Sequence, residues 1–160
     1  MVEVAGPAAL VIAAYFVVPL TGRPAPLVAG ATLVSLTGLL LPLAVRRSNA
    51  IVAAEHPFSM AVRTIGLLAT YVVVGFAVVH FVLADRMPEQ YTGLETKLDA
   101  LYFSVVAVTT VGFGDIAAVG QWARGVMLLH LVIGISLLGL AVRLTERAFR
   151  TSRGDPPDRS

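Results

Sequence analysis

Apolar residues gather in four runs along the chain, residues 4–20, 27–45, 65–84 and 122–142, and most charges fall between or after them. A bilayer core about 30 Å thick takes roughly 17–25 helical residues, so each run is long enough to cross, the first only marginally. Pro7 stands near the start of the first run, where proline is tolerated. The pattern predicts an all-α membrane protein with four transmembrane helices. A further apolar stretch, 98–108, is too short to span and fits a re-entrant half-helix between the third and fourth crossings.

Composition supports a membrane setting. Hydrophobic residues make up 57% and charged residues 14% of the 160 positions, against about half and a quarter in soluble domains. Without cysteine, no disulfide, thiolate metal site or cysteine nucleophile is available. A net charge of +2 gives no case for nucleic acid as a partner. The first run opens on Glu3 and lacks the basic start of a cleaved leader.

Charge also orients the bundle. Arg46, Arg47 and Arg63 flank the second connection, and Arg143, Arg147, Arg150, Arg153 and Arg159 follow the last run. Cytoplasmic loops are the ones enriched in Lys and Arg, so both termini are expected in the cytoplasm of a multi-pass cell-membrane protein. The region 85–113 then opens from the outer side. The chain divides into a helix pair (1–47), a linker (48–63), a domain of two crossings around the half-helix (64–145) and a tail (146–160) expected to be disordered. For the linker two readings stand: an amphipathic segment on the inner membrane surface, or a solvated loop.

The half-helix carries its own start signal. Thr96 with Asp99 three residues on matches a capping box, and Glu95 and Asp99 suit the positive end of a helix dipole. Its negative end would point toward the membrane centre, where a cation is stabilised. Residues 104–111 are rich in β-branched side chains and favour a strand on propensity alone. Gly112, Gly114 and Ala117 then satisfy a relaxed dinucleotide fingerprint. That reading needs an acid about 20 residues on, whereas a membrane-length run follows and the next acid after Asp115 is Glu146.

The string Thr110-Val111-Gly112-Phe113-Gly114-Asp115, set between two membrane-length runs, resembles the selectivity filter of tetrameric potassium channels. The likeness runs from about residue 64 to 145. It is to small bacterial pore modules of one outer and one inner helix, here preceded by two extra helices. The resemblance implies K+ as the permeant ion, no organic cofactor and no enzymatic activity. Carbonyls of Thr110, Val111, Gly112 and Phe113, with the Thr110 hydroxyl, would replace the ion's water. Gly114 would turn the chain at the mouth. Asp115 would attract cations there or brace the filter, and Thr109 would border its base. Tyr102 and Phe103 correspond to an aromatic pair packed around the filter. Phe113 stands where tyrosine is commonest, and Val106 where some relatives place a glutamate paired with the aspartate. One filter per chain implies a homotetramer surrounded by lipid. A less selective cation channel, and a nonconducting regulatory subunit on the same fold, are the alternatives.

The last run holds the gate candidates. Gly134 matches the family's inner-helix hinge, and close packing is the other reading of a membrane glycine. Ile135, Leu138 and Val142 share a helix face, lining either a cavity that closes by dewetting or the lipid boundary. His130 is an ionisable residue within a membrane helix and so a candidate pH sensor. A neutral packing histidine behind the filter is the favoured reading, because a buried charge needs a partner. His80 and His56 are expected near the interfaces. The second run offers only Arg46 and Arg47, at its end, which is too few for a voltage sensor.

Overall fold

The computed structural model describes residues 2–22, 25–38 and 57–152. Its helices are α1 (Val2–Val17), α2 (Ala25–Gly38), α3 (Pro57–Arg86), α4 (Lys97–Val108) and α5 (Gln121–Ser152). A 3-10 turn (Pro88–Gln90) and strand β1 (Tyr91–Thr92) follow α3, and strand β2 (Ala117–Ala118) precedes α5. The described residues are mostly helical, and among them two helices are long and apolar enough to cross a membrane, over Phe58–Arg86 and Gln121–Glu146. The apolar part of α1, Ala5–Val17, is shorter. Residues 39–45 of the second run and 48–56 of the linker lie outside the described residues.

Three local expectations change. Helix α1 begins at Val2, so Pro7 lies inside it and removes one backbone hydrogen bond there. Helix α3 starts at Pro57, within the stretch expected to be linker, and α5 continues to Ser152, into the expected disordered tail. Both extensions have one cause. The start of α3 and the end of α5 pair with each other: Ala61 and Leu144 are buried together, and the rings of Phe58 and Phe149 lie 5.4 Å apart. Each helix thus gives the other a partner beyond its own apolar run.

Helix α3 is the centre of the fold and packs on α1, α2, α4 and α5. Leu68, Val72, Phe76 and His80 recur every four residues and form one ridge. Three of them, Leu68, Val72 and Phe76, share a buried cluster with Leu137 of α5. A second ridge, Val74, Val78 and Val82, joins Tyr15, Leu20 and Ala25 from the amino-terminal pair and Leu94, Ala100 and Phe103 around α4. The chain covers its two long helices unequally. In the most apolar window of each, 67% of α3 is buried but only 17% of α5. Trp122, Leu128, Val132, Ile135 and Val142 all stand exposed on α5.

The end of the fold between α3 and α5 where the short strands lie is closed by backbone pairing. Tyr91 and Thr92 pair antiparallel with Ala118 and Ala117. Gln90 then does two jobs. Its carbonyl accepts the N–H groups of Val119 (2.9 Å) and Gly120 (3.0 Å). Its side-chain Oε1 accepts those of Trp122 (3.1 Å) and Ala123 (3.4 Å), at the start of α5. A helix start leaves such N–H groups without intrahelical partners, and Gln90 caps them from 32 residues away. Gly120 makes room for it: a Cβ there would lie 2.0 Å from Gln90 Oε1. Gln90→Ala is expected to lower stability by about 1 kcal/mol, the usual value of a lost helix cap. Gly120→Ala should cost a similar amount by expelling the same side chain. Thermal unfolding in detergent checks both, and the double variant should be no worse than the more damaging single one.

Candidate functional site

The site is the segment between α4 and β2, and it is built from α4 outward. Thr96, in extended conformation, caps the helix. Its Oγ1 accepts the Asp99 N–H (3.2 Å), while Asp99 Oδ2 accepts the N–H of Thr96 (2.7 Å) and of Glu95 (3.2 Å). The Thr96 hydroxyl also donates to that carboxylate at 2.8 Å. The expected capping box is therefore present. The Thr96 hydroxyl, and then the two backbone N–H groups, hold the Asp99 carboxyl below its ordinary value of 3.8.

The other end of α4 closes by two crossed bonds. Thr110 N–H reaches Ala107 O at 3.1 Å and Val111 N–H reaches Val106 O at 3.2 Å. This is a Schellman closure, which requires a left-handed residue just past the helix. Thr110 takes that conformation, with φ of 58°, and is the non-glycine residue with positive φ among those described. A side chain with a Cβ pays about 1–2 kcal/mol there. Thr109, the last right-handed residue, donates its hydroxyl back to Val105 O at 2.8 Å.

Beyond the helix the sign of φ alternates. Thr110 and Gly112 are at 58° and Gly114 at 81°, while Val111 and Phe113 between them are not positive. An ordinary strand, all of one hand, points successive carbonyls to opposite edges of the ribbon. Alternating hand brings successive peptide groups of one kind onto the same side, as in backbone anion nests. Residues 109–115 are all exposed, Phe113 to 70% and Val111 to 54%.

The aromatic pair divides. Phe103 is buried beside the His80 ring, 5.0 Å away edge-on. Tyr102 lies at the surface, within electrostatic reach of the Asp115 side chain of the same chain. Val106 is half-buried, and its carbonyl is used by the closure.

Behind the site lies a buried polar chain. The Tyr91 hydroxyl pairs with His80 Nδ1 at 2.7 Å, and His80 Nε2 with His130 Nδ1 at 3.3 Å. Phe76 stacks flat on His130, ring centroids 4.0 Å apart. His80 is thus wholly buried, because it continues the α3 ridge that faces α5. The pairing was missed, although a four-residue step from Phe76 was its signal. His56 lies outside the described residues.

Gly93 was also missed. With φ of 77°, it lies so close to the site that a Cβ would meet Asp115 O at 2.8 Å. Of the gate candidates, Gly134 is buried with its open side toward Val108, 3.6 Å from a notional Cβ. Ile135, Leu138 and Val142 are exposed, on the side of α5 away from the buried Leu137 and Leu144. Helix α5 runs unbroken past Gly134 and Gly139.

The comparisons with known proteins concern this half of the chain. A family model described as "Ion channel" matches residues 60–151. The chain is 32% identical over 80 residues to two-pore potassium channel 5 of Arabidopsis thaliana, a match covering 49% of this chain and 18% of that protein. It is 40% identical over 50 residues to the calcium-gated potassium channel TvoK of Thermoplasma volcanium, covering 31% of this chain and 14% of that one. The match thus spans less than a fifth of either relative. No solved structure matches.

Two predictions follow from the geometry. Because the Asp99 carboxyl is held low in the folded protein, the cap's contribution is fully present above the ordinary value of 3.8 and is lost as pH falls through the lowered one. Asp99→Asn should flatten this acid limb in a plot of melting temperature against pH. Gly93→Ala forces a Cβ against fixed backbone in a left-handed position, and should cost about 1–3 kcal/mol, read as a lower melting temperature.

Proposed function

Because this chain belongs to the ion-channel family, among its potassium-channel pores, we propose that it is a K+-selective channel that passes the ion passively. The observation that carries this reading is the alternating hand of residues 110–114, directly after a capped half-helix. Selectivity demands backbone carbonyls gathered on one side of an extended segment, in place of the ion's water. Thr110, Val111, Gly112 and Phe113 supply those carbonyls, and Thr110 adds its hydroxyl. The closure of α4 sets where the segment starts. Its C-terminal dipole, favourable to a cation by about 0.3–2 kcal/mol per helix, faces the inner end of the filter.

One such segment is a quarter of a ring, so the functional unit is a homotetramer in the cell membrane. Four copies cover the exposed segments and part of the open face of α5. In this reading residues 64–145 form the pore domain, preceded by an amino-terminal transmembrane pair, with both termini cytoplasmic. Asp115 stands at the outer mouth, with Tyr102 beside it. Ile135, Leu138 and Val142 line the inner cavity, and Gly134 serves close packing against Val108 as well as any hinge motion. The stacked, hydrogen-bonded setting of His130 supports its reading as a packing residue. A valine at 106 offers Asp115 no carboxyl to pair with, so the decay of current should respond to Val106→Glu.

The test is ion substitution in liposomes holding the purified assembly. A reversal potential that tracks K+ alone supports selectivity. One that tracks Na+ as well makes this a less selective cation channel, and no flux from a verified tetramer makes it a nonconducting subunit. Gly112→Ala is the informative variant. Within one chain nothing lies within 4 Å of the added Cβ, so its cost there is that of the positive φ. At about 1–2 kcal/mol per chain, it should abolish selective K+ flux while chemical crosslinking still shows four copies.

A further inference from the structure

Lysine 97 is in an unfavourable place for its own helix. It is the first residue of α4, where the helix dipole repels a cation. Its side chain turns away and finds the end of another helix. The ammonium donates to Val18 O (2.7 Å), Phe16 O (3.0 Å) and Tyr15 O (3.3 Å), the carbonyls at the C-terminus of α1. Those carbonyls lack intrahelical partners, and the last turn of α1 holds no basic residue of its own. The only lysine in the chain therefore caps α1 from the pore side.

The contact is reciprocal. The Tyr15 hydroxyl donates to Lys97 O at 2.7 Å, and the Tyr15 ring lies 5.9 Å from the ammonium. Tyr15 is 3% exposed and Leu20 1% exposed, in one buried cluster with Ala100 and Phe103 of α4. Arg86, at the end of α3, also donates to Gly22 O, just after α1. The cap of α4, Thr96 with Asp99, is internal to the segment, so the latch adds to the packing of Ala100 and Phe103 on α3 a direct tie to α1.

We propose that the amino-terminal helices are a positioning element for the filter, and that Lys97 and Tyr15 are the positioning residues through which they act. The latch holds the first turn of α4 against α1. Rotation or tilt of α4 about that point would move its other end, where Thr110 leaves the helix, so the latch sets how long the filter stays conducting. The link to conduction rests on the channel reading above; the latch itself does not.

The test compares Lys97→Met, Lys97→Arg and Tyr15→Phe in the full-length assembled protein. Amide hydrogen exchange over the last turn of α1 and over residues 98–104 should be roughly three- to tenfold faster in Lys97→Met, because α1 loses the cation at its C-terminus and α4 loses its attachment to α1. Lys97→Arg should restore it, and Tyr15→Phe, which removes one hydroxyl and keeps the ring, should move it the same way. In liposomes the K+ current at constant voltage should decay faster in Lys97→Met and Tyr15→Phe, with reversal potential unchanged and Lys97→Arg near wild type. Wild-type exchange and wild-type decay in Lys97→Met would overturn the latch. Faster exchange with unchanged decay would overturn the filter role. A wild-type protein that carries no K+ overturns the channel reading instead, and the exchange measurement still decides the latch.

Discussion

The two crossed hydrogen bonds that end α4, from Thr110 to Ala107 and from Val111 to Val106, set the geometry of everything beyond them. They satisfy carbonyls that the helix leaves open, and they do so only if Thr110 is left-handed. That first left-handed residue starts the alternation that Gly112 and Gly114 continue. A glycine at 110 would take the same backbone at lower cost. A threonine there carries a conformational penalty, and strain of this kind clusters at functional sites.

Such a turn is useful only if the helix before it is held still. Helix α4 has 12 residues, about 18 Å, and cannot be fixed by spanning anything. Its position comes from contacts at three levels. The capping box defines where it starts. Ala100 and Phe103 seat it in the core behind α3. Gly93 brings the preceding loop against the Asp115 carbonyl, so the chain entering α4 touches the chain leaving the site. Gln90 ties the same loop layer to the start of α5. Strand pairing of two residues is marginal in itself, and here it serves as the place where these contacts meet.

What was legible in the sequence was what is local. The Thr96–Asp99 box spans four residues and was read correctly, because its geometry is contained in its spacing. The membrane-length runs of α3 and α5 were legible for the same reason, since hydropathy is a sum over neighbours. The contacts that were missed join distant positions: Gln90 with Trp122, His80 with His130, Lys97 with α1. Nothing in a glutamine announces that it will cap a helix 32 residues on. The histidine pair shows the middle case. Its i+4 spacing from Phe76 was visible, but the ridge it extends acquires meaning only once α5 lies against it. Helix ends were misread at 57 and 152 because composition there is polar, and tertiary pairing of Phe58 with Phe149 overrides it.

The uneven cover of the two long helices bears on what the chain needs around it. Exposed apolar residues on α5, such as Leu128 and Val132, are content with lipid, so they demand no protein partner. The backbone of residues 109–115 is different. Its N–H and C=O groups are exposed and only partly satisfied within the chain, and lipid offers them nothing, at a cost of several kcal/mol per group. Irregular backbone between two membrane helices is tolerated only against protein, water or an ion. The ring proposed above would provide all three at once, with the polar edge of each segment toward water and ions and the side chains of Val111 and Phe113 against a neighbouring subunit. In that proposed ring, the supports each chain carries itself, from the Thr96 cap to Gly93, would shape its segment before the copies meet at the axis.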